Sequence, residues 1–342
     1  MSRAVWTWAR LAGGAAILAV LVWRLGTGPI LDGLRTISVG TLVSAGAITV
    51  VTTVCSAWRW VLVARGLGVS LPLGAAIAAY YRSQFLNTTL PGGVLGDVHR
   101  AVRHGRDVGD VGRGLRAVVW ERSAGQLIQA FLALILLAAL PSPVRSSMPV
   151  VVAAVVVAAL GAALALRARP RRGSSRWARA LRAAGDDIRD GLLARRAWPG
   201  IVLASVVVVA GHTVTFVIAA RTAGSNASLV RILPLAMLIL LAMAVPANIG
   251  GWGPREGAAA WLFGAAGLGA GLGVATATVY GVMVLAASLP GAAVLVAAGL
   301  SRRRRPDSRA AGPDTQDLPV SGVAPPRSPV PPAPRKEGAV HG

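Results

Sequence analysis

Along the chain, long apolar runs alternate with short polar, arginine-rich ones. Runs near ~20 residues can cross ~30 Å of hydrocarbon as helices. Such runs occupy residues 8 to 25, 39 to 64, 117 to 140, 149 to 168, 198 to 220 and 272 to 299, which predicts six full crossings. Two more apolar stretches, 73 to 92 and 229 to 270, are interrupted by polar, glycine-rich breaks at residues 87 to 100 and 245 to 256. The expected fold class is therefore an all-α polytopic membrane protein. Composition agrees, because 54% of the 342 residues are apolar and 14% are charged, a balance that a water-soluble fold would need a very large buried core to carry.

The arginines set the expected orientation. Residues 167 to 196 hold ten of them, residues 99 to 116 hold Arg100, Arg103, Arg106, Arg113 and Arg116, and Arg302 to Arg305 come after the last run. The alternate loops are poorer, with Arg24 and Arg35, then Arg145, then Arg221 and Arg231. By the positive-inside rule both termini are expected in the cytoplasm of a cell-membrane protein. The stretches 73 to 92 and 229 to 270 would invert this order as single crossings. Each is therefore expected as a re-entrant helical hairpin, the first entering from the cytoplasm and the second from outside. Backbone freed by proline and glycine is tolerated at membrane depth when it is buried in protein or lines a watery cavity.

Residues 1 to 140 and 149 to 299 then each contain three crossings and one hairpin. An odd number of crossings inverts the second copy, the layout of transporters whose sites are built from broken helices near the midplane. The domain reading is a transmembrane unit over 1 to 300, with a cytoplasmic arginine-rich loop at 169 to 197. Residues 301 to 342 are rich in Pro, Arg, Gly and Ser, lack apolar periodicity, and are expected to be a disordered cytoplasmic tail.

A formal charge of +22 raises nucleic acid as a partner. The basic residues sit between apolar runs, where orientation and anionic phospholipid at the cytoplasmic face account for them, so no nucleic acid is expected. Cys55 is the one cysteine, which excludes intramolecular disulfides and thiolate metal sites. Arg3 precedes the first run and Arg10 lies near its start, with no A-x-A-like cleavage site before the next run, so that run is expected as a retained anchor. No nucleophile elbow, phosphate loop or zinc motif occurs, and no catalytic residue, cofactor or metal is expected. His212 has no second histidine at ligand spacing and is expected to be a core residue.

The candidate chemistry lies in the breaks. The first contains Asn87, Pro91, Gly92, Gly93, Gly96, Asp97 and Arg100. Its glycines let backbone amides approach a ligand, and a helix starting near Gly96 would aim its positive end at an anion. Asp97 either caps that helix or serves the site. The second break contains Pro246, Asn248, Gly250, Gly251, Trp252, Gly253, Pro254, Arg255 and Glu256. Pro254 and Glu256 suit a first helical turn. Arg255, with apolar flanks, costs a few kcal/mol unless it is paired or hydrated, and so marks a site.

Glu121 and Arg122 follow Trp120 within the third run. They read either as an interfacial charge pair or as site residues. Neighbours on a helix diverge by ~100°, so each is expected to seek a partner elsewhere, Glu121 a cation of a hairpin and Arg122 either Asp97 or an anionic ligand. Arg82, on the polar ascent with Tyr80, Tyr81 and Gln84, is expected to line a cavity.

Together, Asn87-x-x-Leu90-Pro91-Gly92-Gly93-x-x-Gly96-Asp97-x-x-Arg100, the Glu121-Arg122 pair and the segment from Pro246 to Glu256 resemble the lysylphosphatidylglycerol synthase transmembrane-region family of flippase-like membrane proteins. The resemblance covers roughly residues 10 to 299. Relatives include the flippase half of a bacterial resistance factor and archaeal proteins of lipid-linked glycan assembly. It implies handling of a membrane lipid, or of a lipid-linked substrate with a large polar head. Nothing after residue 300 has the pattern of an aminoacyltransferase domain, so lysyl transfer is not expected. An intramembrane transferase or accessory subunit of polyprenyl-phosphate-linked glycan or envelope assembly is the alternative, with Asp97 or Glu121 as base. A homo-oligomer and envelope-synthesis partners stay open.

Overall fold

The computed structural model of the chain describes residues 3–90, 93–147, 149–150, five positions between 153 and 164, 176–244 and 252–303. Four helical spans are long and apolar enough to cross a membrane. They are α3 (Val39–Gly66), α6 (Val111–Ala139), α8 (Trp198–Thr222), and the stretch Ala270–Leu300, in which α11 (Ala270–Ser288) passes into α12 (Pro290–Arg303). These correspond to four of the six expected crossings. Both α3 and α6 are capped by the residue before them: Ser38 Oγ accepts from the Thr41 amide at 3.2 Å, and Asp110 Oδ1 from the Arg113 amide at 2.9 Å. The Arg113 amide bond, with a smaller contribution from the charges of Arg113 and Arg116, holds the exposed Asp110 carboxyl below its ordinary pKa.

The first expected crossing is α1 (Arg3–Leu25), and the chain does not continue from it as a plain loop. The end of α1 meets α2 (Gly28–Arg35) at 94°, a fifth crossing if the bent pair is taken as one span. Pro29 lies in the first turn of α2. Gly33 lets α2 lie against α11, since a Cβ there would stand 2.9 Å from the Ala275 carbonyl oxygen. The crossing expected at 149 to 168 falls largely outside the described residues.

Around each break two sub-span helices pack on one another: α4 (Leu73–Thr89) with α5 (Leu95–Val108), and α9 (Leu229–Ala242) with α10 (Pro254–Ala265). The first pair meets inside the expected break at residues 87 to 100. The described part of the apolar stretch forms one arm, Leu73–Thr89, and the other arm is the charged segment Leu95–Val108. That arm turns Gly96, Asp97, Arg100, Ala101, His104 and Gly105 inward, while His99, Arg106 and Asp107 stay exposed. Gly93, at φ 61°, supplies the left-handed backbone of the turn.

Helices α3 and α8 pack along each other at the centre, and each touches both α6 and α11. Helix α4 packs on α3 and α11, while α9 packs on α8 and α6; α5 lies on α6, and α10 on α11. Exchanging α3 with α8, α6 with α11, and one helix pair with the other maps this packing onto itself.

The arginine-rich segment is helical where described. Helix α7 (Arg176–Asp186) runs into a wide π turn over Asp187–Leu192 that packs on α3 and α6. Asp187 accepts from Trp120 Nε1 at 2.9 Å and pairs with Arg116 at 3.0 Å. Trp120 therefore pins this segment to α6. Residues 1–299 form one compact unit, and beyond them 300–303 are described, as the end of α12.

Candidate functional site

Three guanidinium groups and two carboxylates converge between α3, α4, α5, α6 and α8. Glu121, fully buried, sits at the centre, so the interfacial reading of it gives way. Its Oε1 accepts from Arg59 Nε at 2.9 Å, Arg59 Nη2 at 2.5 Å and the Tyr80 hydroxyl at 2.8 Å; its Oε2 accepts from Arg100 at 3.0 Å. Arg59 also donates to Ser205 on α8 at 3.0 Å, which ties the cluster to the second half of the chain. Gly125 makes room for this arginine, because a Cβ there would stand 2.8 Å from Arg59 Nη1.

Asp97 is the second acidic node. Its Oδ1 accepts from Ser83 at 2.9 Å and Arg100 at 3.1 Å; its Oδ2 accepts from Asn87 at 3.0 Å and also pairs with Arg122. Asp97 does not cap α5. Asn87 does that from the opposite arm, its Oδ1 accepting from the Gly96 amide at 2.8 Å. Gly96 cannot carry a side chain here, since a Cβ would stand 2.1 Å from the Ser83 carbonyl oxygen.

Arg100 donates through Nη2 to both carboxylates, and its remaining faces meet aromatic rings, Tyr80 at 4.1 Å and Trp60 at 4.5 Å. Cation–π attraction of this kind is worth ~2 kcal/mol or more when desolvated. As expected for neighbours in mid-helix, Glu121 and Arg122 do not pair with one another. They reach Arg100 and Asp97 respectively.

The second cluster is smaller. Arg255 and Glu256 are adjacent in the first turn of α10 and do pair, at 2.5 Å, both buried. Glu256 Oε2 also accepts from the Gly253 amide at 2.6 Å, so this carboxylate closes the helix start as well. Arg255 lies over Trp252 at 4.9 Å and Tyr280 at 5.7 Å. Each half thus places an ion-paired arginine, after its break, against one tryptophan and one tyrosine. Pro91, Gly92, Pro246, Gly250 and Gly251 lie outside the described residues.

A cavity of about 570 Å³ opens beside the first cluster, in the range of small-ligand sites. Asn87, Gly93, Asp97 and Arg122 line it, with neutral polar residues and an apolar wall that includes Val118, Leu240 and Val284. A smaller cavity of about 200 Å³ shares Gln84, Arg122, Gln126 and His212 with it. Arg122 is the expected site residue that faces both, its side chain 43% exposed. Arg100 and Arg255 line neither; they are nearly fully buried. Arg82 is also buried and lines neither of these two cavities. His212 is not a plain core residue. It faces both cavities and hydrogen-bonds the Tyr280 hydroxyl through Nδ1 at 3.2 Å, which links the cavities to the aromatic seat of Arg255.

The family model described as the lysylphosphatidylglycerol synthase TM region matches residues 7–308. The chain belongs to that family. No curated protein and no solved structure matches it. Family and helices agree on a membrane protein. Arg59, missed in the sequence, is central to the cluster; an arginine inside the 39 to 64 run, between Trp58 and Trp60, carried the same intramembrane-charge signal as Arg255. Gly125, Ser205 and Tyr280 gave no signal, because each matters through a contact with a distant helix.

Proposed function

We propose that this family member is a flippase-like transporter of the cytoplasmic membrane that carries a lipid, or lipid-linked substrate, with an anionic polar head. The head would occupy the larger cavity while its chains stay in the bilayer, and the two halves would rock as an inverted repeat. The observation that carries the reading is Arg122. It is the half-exposed member of a cluster in which three guanidiniums face two carboxylates, and it presents the surplus positive charge to the cavity. An entering phosphate would share Arg122 with Asp97, a charge-assisted contact that leaves the rest of the cluster in place.

The packing symmetry supports alternating access, with α3 and α8 as the central seam. The transferase alternative needs a free carboxylate as base. Asp97 and Glu121 each accept four hydrogen bonds or ion-pair contacts, which favours transport.

Reconstitution into liposomes with labelled phosphatidylglycerol or polyprenyl-phosphate lipids tests this. Wild type moves at least one of them between leaflets unchanged. Arg122→Ala slows it roughly ten- to a hundredfold, the effect of losing ~1.5–3 kcal/mol of charge-assisted contact. Transport no faster than in empty vesicles, for every lipid, defeats the reading. Orientation has its own test: in a Cys55→Ala background, Asn226→Cys labels from outside and Ser174→Cys from the cytoplasm. The reverse pattern overturns the assigned topology.

A further inference from the structure

The charges around the larger cavity are unevenly available. Asp97 is the one carboxylate among its described lining residues. Both of its oxygens are already doubly engaged, by Ser83 and Arg100 on one side and by Asn87 and Arg122 on the other. A carboxylate offers about four lone-pair directions, so Asp97 has none left for a cationic visitor. Glu121 lines neither described cavity. An ammonium group entering here would meet the exposed guanidinium of Arg122 and no free anion.

Beyond Arg122 the wall contributed by α6 is polar and uncharged. Arg122, Gln126 and Gln129 are spaced four and three residues apart on this helix, which puts them on one helical stripe. Gln126 lines both cavities, and Gln129 the smaller one. His212 of α8 lines both cavities as well, and its described partner is Tyr280. The stripe therefore runs from one cation to groups that donate and accept neutral hydrogen bonds.

Resting on the lipid-handling reading above, we propose that the cavity selects a singly charged phosphodiester lipid whose remaining head is uncharged and hydroxyl-bearing, and that it excludes lipids whose head carries a cation. The phosphodiester sits at Arg122. The hydroxyl groups extend along Gln126 and Gln129 towards His212. The one surplus positive charge of the cluster matches one phosphodiester charge. A head that adds an ammonium loses that match and places like charges side by side, the kind of juxtaposition by which binding sites reject wrong partners. Two sources share the selected chemistry, a glycerol-headed phospholipid and a polyprenyl phosphate bearing a neutral sugar.

The test uses the full chain in proteoliposomes of neutral carrier lipid and measures inter-leaflet movement of four labelled probes. They are phosphatidylglycerol, a polyprenyl phosphohexose, lysyl-phosphatidylglycerol and phosphatidylethanolamine. One or both of the first two move at least about tenfold faster than the last two. Which of the two is faster identifies the source. Equal rates for all four, or faster movement of lysyl-phosphatidylglycerol, overturn the selectivity while leaving lipid transport standing. No movement of any probe removes the transport reading and the selectivity together.

A second measurement addresses the stripe. Gln126→Glu adds a carboxylate one turn from Arg122 that cancels the surplus positive charge, and it raises the rate of lysyl-phosphatidylglycerol relative to the faster anionic probe by about tenfold or more. Gln126→Asn keeps the wild-type preference and controls for folding. An unchanged preference in well-folded Gln126→Glu overturns the assignment of the stripe.

Discussion

A Cβ on Gly281 would stand 2.2 Å from Nη2 of Arg255, so helix α11 omits a side chain where helix α10 lays a guanidinium. Arg255 cannot simply swing away. It is buried, paired with Glu256 and set against two rings, so displacing it would break a buried ion pair. Gly281→Ala is expected to lower stability by ~1–3 kcal/mol, the range of overpacked cores. Thermal unfolding of the purified protein in detergent reads this. Gly46→Ala, where nothing lies within 4 Å of the added Cβ, serves as the control and leaves the transition unchanged or raised. If both variants melt alike, Arg255 is not confined as described.

The partnership of Arg59 and Glu121 makes a sharper energetic prediction. Removing Glu121 alone leaves Arg59 and Arg100 buried without their shared acceptor, and Glu121→Met is expected to cost ~3–5 kcal/mol. Arg59→Met leaves Glu121 still held by Arg100 and Tyr80, and so costs less. The double variant Arg59→Met with Glu121→Met is expected to be more stable than the sum of the single changes by ~1 kcal/mol or more. Strict additivity in a double-mutant cycle would mean that the two side chains do not interact.

Asn87 joins two arms through one carboxamide. It accepts from the Gly96 amide and donates to Asp97, so Asn87→Ala removes the cap of α5 and one support of the acidic node. The expected loss is ~1–2 kcal/mol. Gly96→Ala should be worse, because the added carbon meets backbone and not the tip of a flexible chain. Hydrogen exchange locates the effect. Faster exchange in the first turn of α5 is expected in Asn87→Ala, and an undisturbed first turn would refute the capping role.

These contacts also separate the features legible in the sequence from those that were not. Apolar run length placed α3, α6, α8 and α11, because a span must hide its backbone along its whole length and the sequence must be apolar throughout. Proline and glycine placed the breaks. The partner of Arg122 was open to inference because mid-helix geometry forbids Glu121 and leaves Asp97 as a nearby acid. The same rule did not extend to Arg255 and Glu256, whose side chains pair although they are adjacent in the first turn of α10. Arg59 was passed over because its run read as a crossing, and two arginines, Arg59 and Arg65, do not spoil a helix of 28 residues. Ser205, Gly125 and Gly281 could not be read at all: a hydroxyl or a missing Cβ acquires its role from whichever helix arrives opposite it.

Asp110 offers a pH-dependent prediction outside the spans. Its carboxylate accepts the Arg113 amide at the start of α6, and this bond, more than the nearby arginines, holds its pKa below the ordinary value. A group with a depressed folded pKa contributes stability that is fully present above its unfolded value, ~3.9, and is lost as pH falls through the folded value. The cap should therefore help α6 at neutral pH and fade in acid. Asp110→Ala is expected to melt below wild type at pH 7, with the gap narrowing as pH is lowered past ~4. Asp110→Asn retains a capping oxygen that does not titrate, so its melting temperature changes less between pH 7 and pH 3 than that of wild type. A gap between Asp110→Ala and wild type that stays constant across this range would show that the carboxylate charge contributes nothing to the cap, and that α6 begins at Val111 for reasons of packing alone.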